Sequence, residues 1–462
     1  MGGKIIVKIS ELLEAKVLVV GAGITGKSVA RELTKFGATV TLTDEKRSVD
    51  SEESISIDEA IQGKWDLAVV SPGWRIDHPF IAKLRAREIE IISEVDLAWE
   101  LRNEICPSQK WIGITGTNGK TTTVELTAAM LKAGDLKVTA CGNLGDTVIE
   151  AVCGGLSFDW LVVELSSFQL EWSQKPKFHS VAILNIADDH VDWHKDFKNY
   201  VSAKLKILDR AEQAILNADD GELVLATQSW KGKKTYFTLD SPRPGELGLV
   251  ENLLIDRSFV ADSQEASVIA ELVEVSPSAP HSVSNTLAAA GLARSAGISH
   301  QDIRGAIKSF SPGSHRIETV LEADGILWIN DSKATNPHAA QASLMSQLSV
   351  VWIAGGLAKG ANMSELISKT KNRIKVAILI GTDRELIAKE IMEQAPEIKI
   401  IRVDDTQSDS LMERVVKIAK VEAQSGDSVL LAPACASMDQ FISYADRGDQ
   451  FSKAVQELVA QK

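Results

Sequence analysis

The sequence predicts an α/β protein of three domains. At 462 residues the chain is too long for a single ordinary core. Short apolar, β-branched runs recur along it, and each stops at a small or polar loop, as buried parallel strands do. Two of these runs lead directly into glycine-rich loops that open helical patterns. We therefore expect a parallel sheet in each of three domains, at residues 1–100, 101–312 and 313–462.

Composition and charge exclude several classes of protein. A net charge of −13 argues against a nucleic-acid surface, which needs a basic stripe. No run of about 18 apolar residues occurs and the N-terminus lacks the apolar core of a signal peptide, so we expect a cytoplasmic protein without membrane insertion. The cysteines are scattered without C-x-x-C spacing, which indicates reduced thiols rather than a disulfide framework or a zinc site. They are Cys106, Cys141, Cys153 and Cys435.

The first domain begins with a glycine-rich loop. The strand-like run "KVLVV" precedes "GAGITGKSVA", which places Gly21, Gly23 and Gly26 in the pattern G-x-G-x-x-G, and Asp44 follows Gly26 by 18 residues. This pattern is typical of Rossmann-like domains that bind dinucleotides, which favours an oxidoreductase. The same loop can hold any diphosphate, because the helix N-terminus attracts phosphate whatever the nucleoside. The pattern alone leaves both interpretations open.

The second domain contains a sharper phosphate-binding motif. After the strand "WIGIT" come residues 116–121, "GTNGKT". Glycine lets the backbone curl so that successive N–H groups face phosphates, while Lys120 reaches the β and γ groups and the Thr121 hydroxyl can bind Mg²⁺. Ile114 stands where a strict P-loop has glycine, so the shorter motif carries the prediction of a P-loop ATPase-type parallel sheet. Between Asp240 and His281 the pattern weakens, and we expect irregular or edge structure there.

The third domain repeats the alternation of strand and polar loop. Its runs are "ILWINDSKATN", "VVWIAGG", "VAILIGTD" and "SVLLAPACASMDQF". Ligands of open parallel sheets collect beyond the carboxyl ends of the strands, and the polar clusters of all three domains follow such ends. We therefore expect the three domains to converge on a shared cleft.

Six motifs together resemble the Mur ligases, ATP-dependent amide synthetases that build the peptide stem of peptidoglycan. They are "GTNGKTTT", "ELSSFQLE", "LNIADDHVDWH", "HRIE", "NDSKATN" and "LAPACASMDQF", and they keep the family's order over essentially the whole chain. The resemblance implies a Rossmann-like N-terminal domain that binds the UDP of a sugar nucleotide rather than a nicotinamide. It also implies a central ATP-binding domain and a Rossmann-like C-terminal domain that binds the amino acid. "NDSKATN" and "PACASMDQF" resemble the members that add D-glutamate to UDP-N-acetylmuramoyl-L-alanine through an acyl phosphate.

The resemblance also implies roles for individual residues. The implied ATP-binding residues are Gly116, Thr117, Asn118, Gly119, Lys120, Thr121, Thr122, Asn285, Arg316 and Asp331. The implied UDP-sugar-binding residues are Thr25, Gly26, Asp44, Lys46, Ser71, Gly73, Asn143, Ser166, Gln169 and His190. D-Glutamate is expected at Lys333, Thr335, Lys359, Ser437 and Tyr444, and metal at Thr121, Glu164, His190 and Lys204. Catalytic roles are expected for Lys120, His190 and Lys204.

The implied cofactors are ATP and a pair of Mg²⁺ ions, for which Mn²⁺ can substitute. Lys204 matches a lysine that the family carries as a carbamate, and CO₂ would thereby convert an ammonium into an anionic oxygen ligand for a hard cation. The expected partners are the small-molecule substrates alone, with the protein a monomer. Ser282 stands where the family often has asparagine, and Tyr444 where phenylalanine is common, so contacts near adenine and the amino acid are expected to differ in detail.

Three other functions agree with parts of the pattern. Another amide ligase of this architecture, a different Mur ligase or a folylpolyglutamate synthetase, would share the central motif but differ at "NDSKATN". An NAD-dependent dehydrogenase would use the first loop and would leave Lys120 and Thr121 without a role. A non-catalytic nucleotide-binding regulator would not need Glu164, His190 and Lys204 together.

Overall fold

The structure is a computed structural model and describes residues 8–45, 54–143, 145–189, 191–262, 264–404 and 411–460. It divides into two compact units, the first of Met1–Ile186, Asp196–Val275 and Val283–Phe310, the second of Ala187–Lys195, Ser276–Ser282 and Ser311–Lys462. Its three sheets fall one in each predicted domain, which confirms the α/β fold class. The boundaries after residues 100 and 312 stay predictions. Within the described ranges no helix is long and apolar enough to cross a membrane.

The first sheet is a five-stranded parallel sheet. The elements around it are α1 (Ile9–Leu12), β1 (Lys16–Val20), α2 (Ile24–Lys35), β2 (Thr39–Thr43), β3 (Ser54–Ile55), α3 (Ile57–Gln62), β4 (Leu67–Val70), α4 (Pro79–Ala86) and β5 (Ile91–Ser93). The strand order is β3-β2-β1-β4-β5, and the apolar runs "VLVV" and "LAVV" form its buried centre. The order reverses between β1 and β4, which is where Rossmann-like sheets open a ligand crevice.

The second sheet has nine strands and carries the phosphate-binding motif. The chain here forms α5 (Glu94–Ile105), β6 (Lys110–Thr115), α6 (Lys120–Ala133), β7 (Val138–Gly142), α7 (Val148–Cys153), β8 (Trp160–Glu164), α8 (Ser167–Trp172), β9 (Ser180–Ile183), α9 (Val191–His194), α10 (Phe197–Leu205), β10 (Gln213–Asn217), α11 (Gly221–Thr227), β11 (Lys233–Phe237), β12 (Glu246–Val250), β13 (Leu253–Asp256), β14 (Ser267–Glu271), α12 (Pro280–Ser295) and α13 (His300–Ser309), with 3₁₀ turns at Lys206–Arg210 and Leu272–Glu274.

The strand order of this sheet is β14-β13-β12-β11-β10-β9-β6-β8-β7. All pairs from β7 to β12 are parallel, whereas β13 runs antiparallel to both of its neighbours. The segment from Asp240 to His281 therefore supplies the antiparallel edge of the sheet, as its weaker pattern predicted. The motif-bearing strand β6 lies in the interior, between β8 and β9.

The third sheet has six strands. Its elements are β15 (Glu318–Ala323), β16 (Ile326–Asn330), α14 (Pro337–Met345), β17 (Val350–Gly355), α15 (Ser364–Thr370), β18 (Ile374–Ile380), α16 (Arg384–Gln394), β19 (Lys399–Arg402), α17 (Leu411–Glu422), β20 (Ser428–Leu431) and α18 (Tyr444–Leu458), with a 3₁₀ turn at Lys371–Arg373. The order is β15-β16-β20-β17-β18-β19, parallel except for β15. Because β16, β20 and β17 are neighbours, the polar loops that follow them lie at one edge.

The first and second sheets share a continuous apolar core. Buried side chains of the first domain, such as Val19 and Leu97, belong to one cluster with Val163 and Phe178 of the second. Burial of apolar surface contributes about 25 cal/mol per Å², so this shared core stabilises the two domains together. Most residues of both domains accordingly lie in the first compact unit.

Two buried carboxylates on the first turn of α5 hydrogen-bond to the second domain and stabilise its contact with the first. The Asp96 Oδ1 accepts hydrogen bonds from Ser173 Oγ at 2.9 Å and from the backbone N of Gln174 at 2.8 Å. The Glu94 Oε1 accepts one at 2.7 Å from the backbone N of Ile149, at the start of α7. Burial raises the pKa of both carboxyls, that of Glu94 to about 7. Each carboxylate satisfies backbone donors that would otherwise be buried without an acceptor.

Candidate active site

The loop between β6 and α6 requires glycine at its end. Gly119, the residue before α6, has a φ of +83°, in the left-handed region that L side chains rarely adopt. A Cβ atom at Gly119 would stand 2.3 Å from Oδ1 of Asn285 on α12. Asn285, predicted to lie near adenine, therefore packs directly against the phosphate-binding loop. Backbone geometry and close packing both fix this glycine.

Asn185, which the sequence analysis did not single out, holds the same loop from the end of β9. Its carbonyl oxygen accepts a hydrogen bond from the Thr117 N at 3.0 Å, and its Oδ1 accepts one from the Asn118 N at 2.8 Å. Its Nδ2 donates to the Asn118 carbonyl oxygen at 3.1 Å.

The sequence analysis expected successive N–H groups of the loop to face phosphates, and the structure shows those of Thr117 and Asn118 bonded to Asn185. Phosphate donors are expected instead at the first turn of α6, since a helix start presents N–H groups that its own turns do not use. The position of Asn185 in "LNIADDH", after the strand that pairs with β6, was the signal that could have identified it.

Lys120 is the first residue of α6 and folds back over the loop. Its Nζ donates to the carbonyl oxygens of Gly116 at 2.9 Å and Thr117 at 2.8 Å. The ammonium thus lies beside a helix N-terminus, where both the charge and the helix dipole favour an anion. The structure gathers the predicted residues 116–122 into this loop and the first turn of α6, and the contacts of each with ATP stay predictions.

Thr121, Glu164 and Asn143 come together at the carboxyl ends of adjacent strands. Glu164 ends β8 and is 2% exposed. The Thr121 Oγ1 donates to its Oε2 at 2.8 Å, and the Asn143 Nδ2 donates to its Oε1 at 2.9 Å. A hydroxyl and a carboxylate are hard oxygen ligands of the kind that Mg²⁺ prefers, so the pair fits this ion. In the described part of the chain, no three His, Cys, Asp or Glu side chains form a metal-binding group.

Lys204 is buried beneath the loop at 2% exposure. Its Nζ donates to the Gly116 carbonyl oxygen at 2.7 Å and lies 4.7 Å from the ring centroid of Tyr200. The Tyr200 hydroxyl shares a 2.8 Å hydrogen bond with Thr117 Oγ1, so α10 supports the loop twice. Tyr200 was not predicted, although its i, i+4 spacing from Lys204 was visible in "NYVSAKLKIL".

The glycine loop of the first domain is packed as closely as the motif predicts. A Cβ at Gly26 would stand 1.8 Å from the Gly21 carbonyl oxygen, and one at Gly21 would stand 2.6 Å from Ser71 Oγ. The Asp44 Oδ2 accepts a 2.7 Å hydrogen bond from the Ala22 N. Three predicted UDP-sugar residues, Gly26, Asp44 and Ser71, thus surround this loop.

The remaining UDP-sugar residues are less directly connected. Thr25 lies in the first turn of α2 and is half-buried, and Gly73 is exposed. Ser166 and Gln169 form the capping box of α8, which gives both residue types a structural role; sugar binding by them stays a prediction. Two predicted site residues, Lys46 and His190, lie outside the described residues.

The third domain brings its predicted amino-acid-binding residues to one edge. The Lys333 Nζ lies 4.0 Å from the ring centroid of Tyr444, and the Thr335 N donates to the Lys333 carbonyl oxygen at 2.8 Å. The segments that lead into Lys359 and Ser437 pair through two backbone hydrogen bonds of 2.9 Å. Cations and hydroxyls at these positions suit a dicarboxylic amino acid.

Asp331, a predicted ATP residue, is buried at the end of β16. Its carboxylate accepts hydrogen bonds from the Ser343 hydroxyl and, at 3.3 Å, from the Ile317 N. Burial raises its pKa to about 6, and the nearby Arg316 charge opposes part of that rise.

Three family models match consecutive parts of the chain. "Mur ligase MurD-like, N-terminal domain" matches residues 15–93, "Mur ligase middle domain" 114–293 and "Mur ligase, glutamate ligase domain" 315–435. The chain belongs to the Mur ligase family. A relative from Streptomyces coelicolor is 41% identical, covering 98% of this chain and 100% of the relative. One from Thermobifida fusca is 43% identical, covering 97% and 99%. Both are named UDP-N-acetylmuramoylalanine--D-glutamate ligase.

Solved structures of more distant family members show the same fold. A pseudomurein peptide ligase type C from Methanothermus fervidus aligns with a TM-score of 0.61 at 17% identity, covering 96% of this chain and 100% of its own. MurF ligase from Thermotoga maritima, in complex with ADP, aligns with a TM-score of 0.58 at 16% identity, covering 98% and 97%. At these identities the likeness establishes the three-domain α/β architecture of this family member and nothing finer.

Proposed function

We propose that this Mur ligase joins D-glutamate to UDP-N-acetylmuramoyl-L-alanine and converts ATP to ADP and phosphate, a step in peptidoglycan precursor synthesis. Full-length relatives named for this reaction, at 41% and 43% identity, support the substrate assignment. The observation that carries the chemistry is the 2.8 Å contact of Thr121 with Glu164 at the helix start that bears Lys120. This arrangement places two hard oxygen ligands beside the Lys120 ammonium, at a helix N-terminus that can bind phosphate.

The first step activates the alanyl carboxylate. A carboxylate oxygen attacks the γ-phosphorus of ATP, the bond from that phosphorus to the β,γ-bridging oxygen breaks, and ADP leaves. Lys120 and the first turn of α6 hold the phosphates, and Thr121 and Glu164 would hold Mg²⁺. The ion, when bound, neutralises charge between the phosphates and orients the transferred group. Asn143 holds the Glu164 carboxylate and Asn185 holds the phosphate-binding loop, so little reorganisation accompanies phosphoryl transfer.

The second step forms the amide. The amine of D-glutamate attacks the acyl carbon, a tetrahedral intermediate collapses, the bond to the phosphate oxygen breaks and the amine proton is lost to a base. Lys333, Lys359 and Ser437 are proposed to bind the two carboxylates of D-glutamate, while Tyr444 orients Lys333 through its ring. Fixing the amino acid in this way makes attack effectively intramolecular.

Three further assignments belong to the proposal. Lys204 as an ammonium donates to the Gly116 carbonyl oxygen and cannot ligate a cation, so a metal-binding role requires its carbamate. Incubation with ¹³C-bicarbonate should then give a carbamate NMR signal that a Lys204→Arg variant lacks. Mn²⁺ is proposed to substitute for Mg²⁺. The protein is proposed to act in the cytoplasm and to be a monomer, and sedimentation of the full chain tests its oligomeric state.

The decisive experiment measures phosphate release from ATP in the presence of Mg²⁺ and UDP-N-acetylmuramoyl-L-alanine. D-Glutamate, L-glutamate, L-lysine and no amino acid are compared, and release that depends on D-glutamate is expected. Equal release with all three amino acids would contradict the assignment, and preference for L-lysine would indicate a different amide ligase of the family.

Two further experiments test the assignment of ATP to the central loop and the formation of an acyl phosphate. Lys120→Ala should abolish turnover and leave nucleotide-sugar binding intact, whereas Lys132→Ala, at an exposed site on the same helix, should be neutral. Turnover that survives Lys120→Ala would remove the assignment of the central loop to ATP. Hydroxylamine should trap the acyl phosphate as a hydroxamate. If no hydroxamate forms and the protein reduces NAD, the oxidoreductase interpretation of the first loop would be favoured.

A further inference from the structure

Arg447, on the first turn of α18, is a fully buried arginine with 0% exposure. Its Nε donates to Ser332 Oγ at 2.9 Å and its Nη2 to the Ser332 carbonyl oxygen at 2.9 Å. Its Nη1 donates to the Cys435 carbonyl oxygen at 3.2 Å. One guanidinium thus joins the loop after β16 to the loop after β20.

This arrangement is costly for a purely structural contact. Across the described ranges, no carboxylate lies within ion-pair distance of Arg447 and its three acceptors are neutral oxygens, although Asp439 is near enough to favour its charged form. Burying a charge without a directly paired countercharge is unfavourable. Burial lowers the pKa of Arg447 to about 10, which leaves the group charged at neutral pH. A positive charge retained at this position suits a loop edge that receives an anion.

The contacts of Arg447 lead to the predicted amino-acid-binding residues. Ser332 precedes Lys333, and its hydroxyl donates to the carbonyl oxygen of Tyr444 at 2.7 Å while accepting from Arg447. The guanidinium therefore fixes the peptide that leads into Lys333 and the first residue of α18.

The contact with Cys435 positions the other two predicted residues, Lys359 and Ser437. A peptide plane held at its carbonyl is also held at the next N–H, and the Ala436 N donates to the Leu357 carbonyl oxygen at 2.9 Å. That bond positions the segment of Lys359, and Ser437 follows on the same strand end. Hydrogen bonds thus connect Arg447 to the segments that carry four of the predicted residues, Lys333, Lys359, Ser437 and Tyr444.

We infer that Arg447 is a positioning residue for the amino acid substrate: it holds the two loops in register and supplies positive potential to the carboxylates. This inference rests on the proposed function, because the loops are assigned to D-glutamate there. The planar guanidinium of arginine directs its N–H donors to acceptors on two loops in a fixed geometry, whereas the ammonium of lysine is a compact point charge.

The test compares steady-state constants for Arg447→Lys with those of the wild-type full chain. This substitution removes the planar guanidinium and keeps the positive charge. It should raise KM for D-glutamate by about tenfold, with KM for ATP and for the nucleotide sugar changed by less than about twofold. Arg294→Lys is the matched control, because Arg294 likewise donates to two loop carbonyls, those of Ile298 and Phe259, away from the third sheet. It should leave KM for D-glutamate unchanged.

The outcomes are separable. Wild-type protein without D-glutamate-dependent phosphate release would remove the proposed function itself. Wild-type activity together with an Arg447→Lys variant of unchanged KM for D-glutamate would overturn the positioning role alone. If Arg447→Lys fails to fold, Ser332→Ala decides: it removes one acceptor and the link to Tyr444, and should still raise KM for D-glutamate about threefold or more. An unchanged KM in Ser332→Ala would also overturn the inference.

Discussion

Replacing Gly119 by alanine should weaken nucleotide binding without unfolding the protein. Alanine at a φ of +83° costs about 1–2 kcal/mol of backbone strain. The new Cβ would also stand 2.3 Å from Asn285 Oδ1, and moving that side chain aside adds about 1 kcal/mol more. Because the loop can relax when it is empty, most of this cost of about 2–3 kcal/mol falls on nucleotide binding. The dissociation constant for ADP should rise roughly 30- to 150-fold.

Isothermal titration with Mg²⁺-ADP measures this effect directly. Gly155→Ala is the control, because Gly155 has a similar φ of +86° and nothing within 4 Å of its Cβ position. That variant should lose stability through strain alone and keep wild-type affinity. A Gly119→Ala variant that binds ADP within about threefold of wild type would refute the claim that this glycine shapes the phosphate site.

Three further predictions follow from the described contacts. Burial raises the pKa of Glu94 from 4.5 to about 7, so the folded chain binds a proton that the unfolded chain releases, and wild-type stability should fall as pH rises across that window. In urea unfolding, Glu94→Gln should lose this decline and gain up to about 3 kcal/mol at pH 8; an unchanged pH profile would contradict it. Tyr444→Phe should keep the ring beneath Lys333 and leave KM for D-glutamate within about twofold, whereas Tyr444→Leu should raise it about two- to thirtyfold; equal values in both would exclude a ring contribution. Asn185→Leu removes both side-chain bonds to Asn118 and should raise KM for ATP at least about tenfold, and an unaltered KM would show that the loop is held by other contacts.

The fold was largely readable from the sequence because its signals are local. Apolar β-branched runs that end at polar loops predict β1, β6 and β17, and each is a buried strand with parallel neighbours on both sides. The shared core of the first two domains could not be predicted in this way. Glu94 and Asp96 look like ordinary acidic residues of a first helical turn, and only long-range packing buries them against the second domain.

The residues of the candidate site were likewise predicted only in part. Thr121 and Glu164 were both expected at the metal from the phosphate-binding motif and the resemblance to the family, and the structure brings them into contact. Asn185, Tyr200 and Arg447 escaped prediction, since most of their partners are backbone atoms of distant segments that no side-chain pattern marks. The resemblance to the family, rather than any spacing, suggested the nucleotide sugar for the first loop.

The apolar core that crosses from the first sheet to the second makes recognition of the sugar nucleotide inseparable from the ATPase framework. A fragment ending near residue 100 would present to water the faces of Leu97 and Ala98, which the intact chain buries completely. Such a fragment should aggregate or stay unfolded rather than serve as a portable diphosphate binder. Exchange of substrate range between relatives would accordingly require transplanting both domains as one block.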